Sequence, residues 1–80
     1  MSKNIVHQYF KKDMGDAKLL LKFNPVYLTG SQLTIRKNEE PTMDDVQFEG
    51  SPAELEKTLL ADGYMAVNAM EYNLYLSGLL

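Results

Sequence analysis

The chain contains one histidine, His7, and no cysteine, so the side chains left for chemistry are hydroxyls, carboxylates and amines. A cysteine–histidine pair is impossible, and a serine nucleophile would need His7 to reach both a serine and a carboxylate across the fold. No serine sits in a G-x-S-x-G elbow. Ser31 and Ser51 instead fit local roles, as a turn residue and a helix cap. His7 lies on an apolar first segment, where a packed or rim position accounts for it more simply than base catalysis does.

Carboxylates offer the other chemistry. Glu39, Glu40, Asp44 and Asp45 cluster in "EEPTMDD", and hard cations favour oxygen ligands. The spacing lacks the D-x-D-x-D-G run and the distal glutamate of a calcium loop, so a hydrated acidic loop over residues 37–45 is the expected structure. The five glycines, at 15, 30, 50, 63 and 78, are too scattered for a phosphate-cradling loop. A glycosidase-like carboxylate pair needs a cleft that a short chain has little room to form. The expectation is a nonenzymatic protein with no catalytic, cofactor-binding or metal-ligating residues.

Charge is distributed unevenly along the chain. Residues 1–38 hold seven basic side chains against two acidic ones, a formal +5, whereas residues 39–80 hold one against nine, a formal −8, giving the net −3. Mutual neutralisation across one core is the plainest outcome of such a division. Exposed pairs of that kind add little stability each.

These residues must be positioned by elements that the pattern suggests. Ser51 as N-cap, Pro52 at the first helical position, Glu54 completing a capping box and Gly63 just past the end predict a helix from Pro52 to Asp62, with Leu55, Leu59 and Leu60 as its buried stripe. "VYLTGSQLTIR" predicts a β-hairpin over residues 26–36 turning at Gly30 and Ser31, with Val26, Leu28, Leu33 and Ile35 on its apolar face. Upstream, Leu19, Leu21 and Phe23 alternate with Lys18, Leu20 and Lys22, and "NP" must break the phase before the next run. "VQFE" suggests a further short strand. Ile5, Val6, Tyr9 and Phe10 suit a helix ending near Gly15, with a strand as the alternative.

The tail has two readings. Asn68 with Glu71 three residues on, and Met65, Ala69, Tyr72, Leu76 and Leu79 at 4-3-4-3 spacing, favour a helix; alternation of Met70, Tyr72, Leu74 and Leu76 would make a strand. The expected fold is one α+β domain over residues 1–80, a small antiparallel sheet covered on one face by helix 52–62.

Eighty residues bury a thin core with no disulfide to reinforce it, so association with another chain is expected. No apolar run of signal-peptide or membrane-spanning length occurs, which fits a cytoplasmic protein with no membrane association. The functional expectation is a noncatalytic interaction or regulatory module that homodimerises or binds a protein partner. Its contact surface would include Tyr72, Tyr75, Leu76, Leu79 and Leu80, because interfaces favour aromatic and apolar anchors. The alternative is a weak nucleic-acid surface on the open face of the hairpin, formed by Lys18, Lys22, Tyr27, Arg36 and Lys37.

Overall fold

A computed structural model describes residues 7–78. It is an α+β fold with the order β1 (Gln8–Asp13), β2 (Ala17–Asn24), β3 (Thr29–Arg36), β4 (Thr42–Gln47), α1 (Pro52–Ala61), β5 (Met65–Val67) and α2 (Ala69–Leu76). The five strands form one antiparallel sheet in the order β4-β3-β2-β1-β5.

The alternation expected of β2 holds, and it organises the molecule. Leu21 and Phe23 join Phe10 on one face, where Leu55 and Leu59 of α1 cover them. Leu20 faces the other way and packs with Leu33 and Tyr72 of α2. The sheet is thus covered on both faces, which corrects the expectation of a single covered side. A strand buried on both sides needs apolar residues at consecutive positions, and β2 has them.

The same constraint explains the first element, which is strand rather than helix. Tyr9 and Phe10 are adjacent because each serves a different core: Phe10 lies under α1, and Tyr9 meets Tyr72 with ring centroids 5.0 Å apart. A tight reversal at Gly15, φ 85°, joins β1 to β2.

The hairpin exists, but its turn lies upstream of Gly30 and Ser31. Asn24 pairs with Thr29, and residues 25–28 form the loop. The Asn24 side chain accepts the Val26 and Tyr27 amides at 2.8 and 3.3 Å, and the Leu28 amide donates to the Asn24 carbonyl at 2.9 Å. Leu28 closes the loop at φ 58°, an uncommon conformation for a branched apolar residue. Its side chain packs against the α1-side core and its carbonyl accepts the Phe48 amide at 2.8 Å, contacts that hold it there. Val26 therefore leaves the predicted apolar face and stands 64% exposed. Ser31 is a strand residue facing the α2 side. Gly30, also within the strand, is required for space, since a Cβ there would meet the Lys22 carbonyl.

Residues 37–45 are not one loop either. Residues 37–41 make the turn, with Asn38 at φ 65°, and β4 then pairs along β3 from Thr42 to Gln47.

Both helices begin where their caps place them. Ser51 accepts the Glu54 amide at 3.2 Å, and Asn68 accepts the Glu71 amide at 2.8 Å. After α1, Gly63 at φ 98° lets the Tyr64 amide return to the Leu59 carbonyl at 2.9 Å and its own amide to Leu60 at 3.2 Å, a Schellman closure. Leu60, expected in the buried stripe, is turned away from the sheet and 49% exposed. The tail is helical, with Met65 belonging to β5 before it.

Gly30→Ala should destabilise the fold by about 1–3 kcal/mol, since the new methyl forces the β2 and β3 backbones apart. Urea unfolding of this variant, set against Ser31→Ala as a near-neutral control, checks the observed register.

Candidate functional site

Side-chain placement around α2 follows from the sheet register, because residues opposed across strands share a face. Lys11, Leu20, Leu33, Met43 and Met65 form one cross-strand row on the α2 side. Lys11 donates to Glu71 at 2.7 Å, a contact that ties α2 to β1. The Tyr75 ring lies between two ammonium groups, with Lys11 5.5 Å and Lys18 5.1 Å from its centroid. On the other side of the sheet Lys12 reaches Asp62 at 3.6 Å. Both ion pairs join the basic half of the sequence to the acidic half, so part of the charge asymmetry is neutralised in space.

The expected contact residues divide. Tyr72 is only 3% exposed and belongs to the internal core, so it has no surface to offer a partner. Tyr75 is half-buried beneath the two lysines, Leu76 is 49% exposed, and Leu79 and Leu80 lie outside the described residues. Other exposed apolar groups occupy this same side. Met43 is 47% exposed, Met65 56% and Met70 72%. All four methionines among the described residues, Met14 included, are exposed. Their scatter along the sequence hid this, since no periodicity links positions on β4, β5 and α2.

The basic set also divides. Tyr27 occupies the loop at one end of β3, while Arg36 and Lys37 lie at the other end, roughly 24 Å away at the rise of a strand. Lys18, Arg36 and Lys37 line an open groove of about 200 Å³, and the aromatic beside them is Tyr75. Asp13, opposite Lys18, and Asp16, in the same groove, reduce the positive field there. Lys22 stands two residues along β2 from Leu20, toward the Tyr27 end.

Asp44 and Asp45, expected on a loop with Glu39 and Glu40, instead point to opposite faces of β4. Among the described residues no group of three or more histidine or carboxylate side chains is arranged to hold a metal ion. His7 lines a groove of about 560 Å³ with Gln8, Glu56 and Asn68, where the Gln8 Oε1 is buried without a hydrogen-bond partner. Among the described residues no helix is long and apolar enough to cross a membrane.

The chain matches no known protein-family model, and neither a curated protein nor a solved structure shows significant similarity to it.

Two groups on this framework are held protonated to higher pH than their ordinary values. The hydrogen bond to Glu71 raises Lys11 above its ordinary value against an opposing desolvation, and burial, aided by Asp62, raises Tyr64. A raised folded pKa contributes stability that is complete below the unfolded value and lost as pH climbs through the folded one. Stability should therefore fall on the alkaline side, beyond pH 10. Lys11→Met should flatten part of that fall and cost about 0.2–1 kcal/mol at neutral pH; Tyr64→Phe should remove another part. Thermal melts across the alkaline range check both.

Proposed function

We propose that the protein is a small noncatalytic interaction or regulatory module of the cytoplasm that pairs with a second copy of itself through the α2 side of its sheet. The observation carrying this reading is the collection of Met43, Met65, Met70 and Leu76, all exposed, on one side of the molecule. An eight-residue helix is about 12 Å long and spans only part of a five-stranded sheet, which leaves Met43 and Met65 on the edge strands in water, while Met70 and Leu76 stand exposed on the helix itself. Methionine is flexible and polarisable, suited to contact surfaces that must adapt.

By contrast, the remaining exposed large apolar groups are dispersed. Met14, Val26 and Tyr27 stand on turns, and Leu60 stands alone on α1. An isologous contact would bury the methionine face against itself and supplement a thin core. The lack of cysteine is in keeping with a reducing compartment.

A weak nucleic-acid surface is the second reading, favoured by the grouping of Lys18, Arg36 and Lys37 around one groove beside Tyr75. It ranks lower because Asp13 and Asp16 share that end and because Tyr27 and Lys22 lie away from it.

Light scattering coupled to size exclusion, over a range of concentrations, tests the leading reading. Wild-type protein should shift toward a dimer as concentration rises, and Met70→Asp with Leu76→Asp should remain monomeric with an unchanged circular dichroism spectrum. A wild-type chain that stays monomeric throughout, or a dimer indifferent to these substitutions, overturns it.

A further inference from the structure

We infer that the outer edge of β4 is a docking strand for an extended segment of another protein that carries two adjacent basic residues. The edge adjoins the methionine face and shares Met43 with it, but it offers backbone groups where that face offers side chains. Its backbone geometry follows from a single contact. The Phe48 amide donates to the Leu28 carbonyl at 2.8 Å, and the β3–β4 register continues from Thr29 opposite Gln47 to Thr34 opposite Thr42. Antiparallel ladders alternate, so the amides and carbonyls of Thr42, Asp44 and Val46 point to β3. Those of Met43, Asp45 and Gln47 point outward, three donors and three acceptors at a sheet edge.

Most devices that protect such an edge are missing from β4. Its pairing is continuous, it contains no proline, and every residue but Val46 is exposed. The opposite edge, β5, has only three residues and offers a much shorter template.

Charge selects the occupant. Asp44 and Asp45 sit at the centre of β4 on opposite faces, Glu39 and Glu40 precede them, Glu49 follows, and no lysine or arginine occurs from Asn38 to Glu56. Among the described residues no cation lies within ion-pair distance of these five carboxylates. A second copy adding its own β4 antiparallel with the strand centres aligned would set Asp45 against Asp45, or Asp44 against Asp44 one step along, and opposed like charges destabilise a strand pair. The two aspartates therefore disfavour the centred self-pairings while favouring a cationic strand. Because neighbouring strand residues face opposite ways, the matching segment has consecutive basic residues, one for each aspartate, flanked by β-branched ones.

The test uses two capped octapeptides, Thr-Val-Thr-Lys-Arg-Thr-Val-Thr and the same sequence with Glu-Asp in place of Lys-Arg, with amide exchange followed by NMR on the full chain. Under saturating basic peptide, exchange at Met43, Asp45 and Gln47 should slow about tenfold or more, as for newly protected amides, with little change at Thr42, Asp44 and Val46. The acidic peptide should do nothing, and added salt should weaken the effect. Asp45→Asn should weaken binding. Asp45→Pro should weaken it further, because it also removes an outward amide while sparing the ladder to β3. Unchanged exchange at the three outward amides, or equal protection by the acidic peptide, overturns the inference.

Discussion

Burial of β2 on both faces is the constraint on which the remaining structure depends. Leu20 is fully enclosed on one side, with Leu21 and Phe23 enclosed on the other. Side chains of a strand alternate strictly, so a slip of one residue in the pairing with β1 or β3 would exchange the two cores. The two helices then have defined places: α1 closes the face of Phe10, Leu21 and Phe23, and α2 closes the face of Leu20 and Leu33. Even the strained Leu28 serves this arrangement, because its loop delivers β3 to β2 in the register that puts Leu33 opposite Leu20.

Unequal coverage follows from the same architecture. Four strands are of useful length, yet α2 has eight residues and is anchored at the β1 and β2 side by Tyr9, Leu20 and the Lys11–Glu71 pair. Apolar groups farther out, on β4, on β5 and on the outer side of α2, are left exposed. Electrostatics divides along the same line. Lys11 and Lys12 meet Glu71 and Asp62 where the chain's two halves overlap, whereas among the described residues the carboxylates of β4 form no ion pair with the basic strands. The charge asymmetry of the sequence thus survives as an acidic sheet margin, though not as two separate halves.

How much could be read beforehand depended on how local the signal was. The helix starts at Ser51 and Asn68, and the Gly63 end of α1, were legible because a cap needs only three or four consecutive residues. The faces of β2 were legible because alternation is a short-range pattern. The hairpin turn was not. Gly30 and Ser31 resemble a tight turn, while Val26, Tyr27 and Leu28 resemble a strand, and nothing nearby announces that Leu28 adopts a left-handed conformation. The β1 strand was obscured for a related reason, since Tyr9 and Phe10 side by side break the alternation that a one-sided sheet would show. Among the candidate contact residues, the exposure of Leu76 was foreseeable, but the burial of Tyr72 and the placing of Met43 and Met65 at the two ends of one cross-strand row were not.

By itself, then, the sequence determined the α+β class, the first helix with its capped start, the Asn68 cap as the favoured of two readings of the tail, the alternation of β2 and the absence of cysteine chemistry. Those features rest on contacts between near neighbours or on composition. Tertiary structure alone decided the hairpin register, the second covered face, the exposure of the methionines and the outward amides of β4. Each of these depends on which distant residues occupy a given face, and that is set by the simultaneous packing of two cores against one strand.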